Sequence, residues 1–304
     1  MNAVTETEDR AAWLEQRRTG IGGSDVAAIL GLSKWKTPLQ VFMEKRGQLA
    51  DIGDNEPMRW GRLLEPVILA RYADVTGHAV LRPTGILRHP HNEFMIASLD
   101  GMTPNERVVE AKTARTAEGW GEPGTDEVPQ DYLLQTQHYL AVTGFAVADI
   151  AVLIGGSDFR LYEVPADKEL QGMMIEAEAE FWRRVLADDP PEPVSYADVV
   201  ARFGRASKAV TVEAPAEIVE AAANLRSLRA RMKTLEAEEE HFKAAIIGWK
   251  GGADTLVAGG VTLATWKAAQ ASERLDAAAL RKAHPDICAQ FTKVGEPSRR
   301  FLLR

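Results

Sequence analysis

Two apolar runs that carry charge at their ends constrain this chain most. Phe94-Met95-Ile96-Ala97-Ser98-Leu99-Asp100 and Arg107-Val108-Val109-Glu110-Ala111-Lys112 each read as a strand of large or β-branched apolar residues. Side chains alternate across a strand, so Glu110 and Lys112 share one face while Ala111 points into packing. A turn containing Gly101 is expected to fold the first run back and bring Asp100 beside them. An Asp followed ten residues later by Glu-x-Lys is a weak pattern alone, since a surface ion pair would produce it equally well. Here the neighbours are apolar, and charge on a buried strand is costly unless it is paired or metal-bound.

These residue types at this spacing have a definite chemistry. Two carboxylates offer hard oxygen ligands to Mg²⁺, which keeps waters and completes its shell with substrate phosphate. Such an ion makes water a usable nucleophile and offsets charge building on phosphorus. Lys112 is placed to orient or help deprotonate that water and to act as a point charge in the transition state. Glu65, presented from a preceding helix, completes the site or holds a second ion.

The whole chain sets the bounds. At 304 residues it holds one large domain or a main domain with a smaller appendage. An apolar share of 45% is ample for a core, and no apolar run reaches the length of a membrane span. The polar start MNAVTETEDR does not read as a secretory signal. Cys288 is the sole cysteine, which excludes an internal disulfide framework and fits a reducing cytoplasm. The formal net charge of −8 argues against nucleic-acid attachment by the whole surface, but the charge is uneven. Residues 205–304 hold 16 Lys and Arg against 12 Asp and Glu, whereas the first 204 hold 20 against 32. An acidic half that gathers cations can still meet nucleic acid through a local basic groove.

Gly20, Gly22 and Gly23 precede Ser24-Asp25, either of which can cap a short helix through Leu30. Thr37-Pro38 opens a second helix ending near Gly47. A longer helix runs from about Pro57 to Thr76, with Pro66 inside it as a kink or local break. After a Gly- and Pro-rich loop at 119–129, an amphipathic helix spans about Asp131 to Thr143. Strands at 148–154 and 159–164 follow, then a helix capped by Asp167 and reaching about Leu186. The order helix, strands, helix, strands, helix predicts an α/β fold, an α+β mixed sheet flanked by helices, over residues 1–187. A linker at 188–213 leads to a C-terminal region, 214–304, with a long helix and a tail of hairpin, helix and last strand. In that helix Ile218, Leu225, Leu228, Met232, Leu235, Phe242, Ile246 and Trp249 follow a heptad seam, interrupted by Glu239. The helix either packs within its own chain or mediates assembly.

Five ordered motifs then carry a family resemblance. They are Gly20-Ile21-Gly22-Gly23-Ser24-Asp25, Gly61-Arg62-Leu63-Leu64-Glu65-Pro66, Ser98-Leu99-Asp100-Gly101, Glu110-Ala111-Lys112 and Gln135-Thr136-Gln137-His138-Tyr139. Over about residues 13–186 the chain resembles the YqaJ-type viral recombinases, relatives of phage lambda exonuclease within the PD-(D/E)xK nuclease superfamily. The resemblance implies a restriction-endonuclease-like core and Mg²⁺-dependent 5′→3′ digestion of double-stranded DNA ends, leaving 3′ overhangs. It implies two ions per site, with Mn²⁺ as a substitute, and a location in the cytoplasm of the host cell. It further implies a ring-shaped homotrimer and a RecT- or Bet-like single-strand annealing protein as partner. The metal roles fall on Glu65, Asp100 and Glu110, with Lys112 as the catalytic lysine. The 5′-phosphate pocket falls on Arg17, Ser24, Ser98 and Gln135. The family's further acidic residue upstream of Asp100 has no counterpart here, where His89, Pro90 and His91 stand.

Other residues admit two readings. Ser24 either holds phosphate beside Arg17 or caps a helix, and neighbouring Arg18 competes with Arg17 for the phosphate role. Tyr139, one turn from Gln135, faces the site or the core. Trp120 either stacks on a base near strand separation or covers the core. Lys34-Trp35-Lys36 is a DNA-backbone contact or an exposed basic cluster. His89, His91 and His138 lack structural-zinc spacing. Two rival functions remain: a nuclease for single-stranded or flap DNA, and a catalytically silent DNA-end binding or assembly protein.

Overall fold

The computed structural model describes residues 15–49, 55–204, 211–269, 275–293 and 299–303. Tertiary contacts divide the chain into two units, Met1–Arg202 and Phe203–Arg304. Among the described residues, no helix is long and apolar enough to cross a membrane.

The first unit is a mixed α/β fold. Short strands β1 (Ile21–Gly22), β2 (Leu87–Arg88) and β3 (Met95–Ala97) form one small sheet in the order β1-β3-β2. Strands β4 (Gly101–Met102), β5 (Arg107–Ala114), β6 (Val147–Ile154) and β7 (Asp158–Pro165) form the main sheet in that order. The β5–β6 pair is parallel and its neighbours are antiparallel. Helix α1 (Gly23–Ile29) follows β1, and α2 (Pro38–Lys45) begins where the Thr37 hydroxyl accepts from the Gln40 amide, as Thr-Pro predicts. Helix α3 (Glu56–Thr76) ends at Gly77, α4 (Gln130–Thr143) at Gly144, and both glycines adopt the left-handed conformation that stops a helix. Helix α5 (Lys168–Ala187) starts where Asp167 accepts from two backbone amides.

Alternation along β5 decides which helix packs on which face. Val109 and Ala111 join Ala151 of β6 and Ile68, Leu69 and Tyr72 of α3 in one apolar cluster. Val108 lies on the opposite face, clustered with Tyr139 and Leu140 of α4 and Ala148 of β6. The sheet is therefore held between α3 and α4, with Glu110 on the α4 side. Each fully buried aliphatic side chain in these layers contributes about 1.5–3 kcal/mol.

The structure alters several expectations. The run 94–100 is not one strand of a hairpin: Met95–Ala97 pairs with β1 and β2, while Gly101–Met102 pairs with β5. The reversal falls at Thr103–Glu106, where Glu106 has a φ of 58°. Gly101 instead sits inside β4, because a Cβ there would come within 2.5 Å of Val80 Cγ1. Helix α3 runs unbroken through Pro66. Helix α4 is not amphipathic in the ordinary sense, since its polar residues Gln135, Thr136, Gln137 and His138 are all buried. The expected linker 188–213 contains helix α6 (Tyr196–Phe203), tied down where the Thr37 hydroxyl donates to buried Asp198 at 2.8 Å.

The second unit is built on α7 (Ala216–Lys250), a 35-residue helix. A hairpin of β8 (Thr255–Ala258) and β9 (Val261–Thr265) follows, then α8 (Ala277–Ala283) and α9 (Pro285–Phe291). The tail thus has two short helices, and residues 299–303 form no strand. Among the described residues most of the α7 seam is exposed, from 44% at Ile246 to 80% at Trp249, while Leu225 is half-buried.

Candidate active site

The first site element is the β1–α1 junction. The Gly22 amide donates to Asp25 Oδ2 at 3.1 Å, so Asp25, not Ser24, caps α1. Lys45 Nζ lies 2.6 Å from the same carboxylate, and both side chains are almost wholly buried. Burial alone would raise the Asp25 carboxyl, but the Lys45, Arg17 and Lys36 charges outweigh it and hold it well below the usual carboxylate range. With capping done by Asp25, the Ser24 hydroxyl accepts from Arg17 Nη2 at 2.8 Å. Arg18 turns instead to Glu15, 2.8 Å away. The Arg17–Ser24 pair faces a cavity of about 500 Å³.

Glu65, Ser98, Asp100, Glu110 and Gln135 line the same cavity. Glu110 is 3% exposed, and its Oε1 receives Lys112 Nζ at 2.6 Å and Gln135 Nε2 at 2.8 Å. Asp100 is secured opposite it by accepting from the Ala111 amide at 2.9 Å. Lys112 Nζ also donates to Gln135 Oε1 at 3.1 Å and sits 4.8 Å from the centre of the Tyr132 ring. Gln135 thus bridges the acidic and basic groups, and its amide also donates to the Tyr139 hydroxyl at 2.9 Å. All eight residues expected at the two subsites therefore converge: seven line one cavity and Lys112 is bonded to two of them.

Electrostatics at the cavity floor favour a cation. Burial, then the charge of Asp100, pushes the Glu110 carboxyl up to about 8 against the opposing pull of Lys112. Glu65 is raised for the same two reasons, despite its ion pair with Arg82. Burial alone would lower Lys112, but Glu110 and Asp100 outweigh it and hold the ammonium above the ordinary lysine range. Among the described residues no three His, Cys, Asp or Glu side chains already form a closed metal cage. Glu110 Oε2, however, is buried without a hydrogen-bond partner. An orphaned carboxylate oxygen amid mutually repelling carboxyls fits a hard divalent cation.

Tertiary structure also settles the ambiguous residues. Tyr139 lines the cavity and packs against α1, where a Cβ on Gly23 would lie 2.7 Å from its ring. Trp120 is a core residue, stacked near Tyr162 and Tyr132 at 5.1 and 5.6 Å. Lys36 pairs with Glu44 at 2.7 Å, while Trp35 is 84% exposed. His89 accepts from the His91 and Asn92 amides and shapes a turn. His138 is fully buried, bonded to Glu178 Oε1 and the Ile96 carbonyl, each at 3.0 Å. Neither Lys45, Arg82 nor Glu178 carried any spacing signal, because each reaches its partner only through the fold.

A buried Glu-Lys pair, two further carboxyls and an arginine thus gather around one cavity of the mixed α/β unit. Residues 12–146 match the model of the YqaJ-like viral recombinase domain. "Uncharacterized protein YqaJ" of Bacillus subtilis (strain 168) is 41% identical over 187 residues, covering 60% of this chain. The matched region spans 58% of that relative's length. The alkaline exonuclease LHK-Exo of Laribacter hongkongensis, solved in complex with dAMP, is 21% identical at a TM-score of 0.49. That match covers 59% of this chain and 94% of LHK-Exo. A phage related exonuclease from Haemophilus somnus 129PT is 14% identical at a TM-score of 0.43, covering 56% and 96% respectively.

Proposed function

We propose that the chain is a Mg²⁺-dependent 5′→3′ exonuclease that degrades one strand of double-stranded DNA from its ends. The product is a 3′ overhang for recombination by strand annealing. The observation that carries this reading is Glu110, which lines the cavity, pairs with Lys112 and keeps one buried carboxylate oxygen without a hydrogen-bond partner. Glu65, Asp100 and Glu110 would hold the cation, in two positions where Glu65 contributes to the second. When bound, the ion supplies Lewis-acid polarisation of the phosphate and a water nucleophile at neutral pH.

The protein's own groups do the rest. Lys112, fixed by Glu110 and Gln135, presents a positive charge to the phosphoryl oxygens as they gain charge in displacement. Gln135 holds that lysine in place rather than reaching substrate alone. Arg17 and Ser24 sit at the start of α1, where backbone N–H groups and a guanidinium suit a terminal phosphate. A 5′-phosphate held there, with Ser98 on the same wall, would set the scissile bond over the carboxyls. Assembly as a homotrimer around duplex DNA, and handover of the exposed strand to a RecT- or Bet-like annealing protein, complete the proposal.

The test uses linear duplex DNA with 5′-phosphate or 5′-hydroxyl ends, in Mg²⁺ or EDTA. Expected is Mg²⁺-dependent mononucleotide release, reduced at least about 100-fold in Lys112→Ala. Arg17→Ala and Ser24→Ala should erase a preference for the 5′-phosphate. Equal activity in Lys112→Ala overturns the site, and digestion from 3′ ends overturns the polarity.

A further inference from the structure

Helix α7 presents five complete heptads to solvent. Its a positions are Ile218, Leu225, Met232, Glu239 and Ile246, and its d positions are Ala221, Leu228, Leu235, Phe242 and Trp249. A straight helix of 35 residues is about 52 Å long. Nearly all of its large seam residues are exposed, with Leu235 at 60% and Phe242 at 64%. An apolar stripe of this length on a soluble chain marks an interaction surface. It also lies beyond residues 12–146, the recombinase-like domain, so that domain does not account for it.

We propose that α7 pairs with α7 of a second copy of this chain as an antiparallel two-stranded coiled coil. Both orientations offer attractive flanking charges, so the seam itself decides. In a parallel pair Glu239 would face the Glu239 of the other copy in the interface, two like charges in a desolvated layer. Trp249 would also meet Trp249, and Ala221 would meet Ala221, leaving one layer overfilled and another underfilled. Turning one helix over about a two-fold axis between Met232 and Leu235 removes all three conflicts. Each a residue then meets a d residue: Glu239 faces Leu228, Ile246 faces Ala221, and Ile218 faces Trp249. The smallest seam residue, Ala221, is thereby filled by Ile246, and no layer sets Trp249 against Trp249, as an evenly packed seam requires.

Charge follows the same register. Arg231 of one helix lies beside Glu238 of the other, and Arg229 beside Glu236, each pair occurring twice by symmetry. Within each helix Lys243 Nζ lies 2.6 Å from Glu239 Oε1, offsetting the one charge in the seam. Because the interface is built from α7 alone, it does not rest on the nuclease reading.

Cysteine cross-linking of full-length protein in a Cys288→Ser background tests this directly. Leu225→Cys and Phe242→Cys are made as separate chains, since antiparallel pairing places 225 opposite 242. Under mild oxidation the mixture should form disulfide-linked dimers at least about tenfold more than either chain alone. Efficient linking of each chain with itself would mean parallel pairing and overturn the proposal. No linking in the mixture would mean that the seam is covered by its own chain or another protein, and would overturn it equally. Leu228→Glu with Leu235→Glu, both solvent-facing in the single chain, should abolish the linking while leaving the unfolding midpoint of the first unit in place.

Discussion

Glu110 is where burial, charge and function meet. Its carboxyl holds a proton up to about 8, mainly through burial and then through Asp100. The folded, cation-free protein therefore binds this proton more tightly than the unfolded chain does. The associated stability is complete below the ordinary carboxylate range and is lost as pH rises through about 8. A divalent cation competes with the same proton. Its affinity should rise with pH and level off above about 8, with a proton released on binding. Titration calorimetry in buffers of different ionisation enthalpy checks this, and an affinity flat across about pH 6 to 9 would contradict it. Glu110→Gln should abolish both the ion binding and the pH dependence. Asp25 shows the opposite arrangement: surrounding cations hold its carboxyl ionised, and it serves as cap and as partner for buried Lys45.

At the scale of elements, the site depends on how closely α1 approaches α4. Gly23 makes that approach feasible, since a Cβ would lie 2.7 Å from the Tyr139 ring and 3.0 Å from the Gln135 carbonyl. Gly23→Ala should therefore cost about 1–3 kcal/mol, read as a lower urea midpoint with unchanged slope. Pairing it with Tyr139→Ala should recover part of that loss, because the two changes share one contact. Additive losses would show that the strain lies elsewhere. His138 ties the same helix to β3 and α5 through Ile96 and Glu178. Burial disfavours its charge, but Glu178 outweighs burial and raises its pKa. The link is thus strongest with the imidazole protonated and weakens as pH rises through that raised value.

At the scale of the molecule, the proposed DNA binding must coexist with a net charge of −8. Affinity then comes from a few local cations around the cavity, with Arg17 and Lys112 among them. Binding to duplex ends should weaken with salt, with a logarithmic slope of about −0.9 for each phosphate contacted. Arg17→Ala should reduce that slope by about one contact. Fluorescence anisotropy across a salt series measures it, and an unchanged slope would remove Arg17 from the phosphate pocket.

Local physics alone determined much of this protein. Strand alternation put Glu110 and Lys112 on one face, Thr37 and Asp167 announced helix starts, and Gly77 and Gly144 announced helix ends. The heptad spacing of α7 was equally plain, because a period of three and four residues is written directly in the chain. Only the tertiary structure could decide what those residues face. It divided the run 94–100 between two sheets, since register depends on which strand arrives alongside. It gave the capping task to Asp25 and so left Ser24 with Arg17, because Lys45 had to be neutralised in the core. It sent Trp120 into the core, made a helix within the expected linker, and left the α7 seam exposed. Patterns along a chain record what each residue prefers, whereas partners distant in sequence are chosen by packing, and the candidate site is made of such partners.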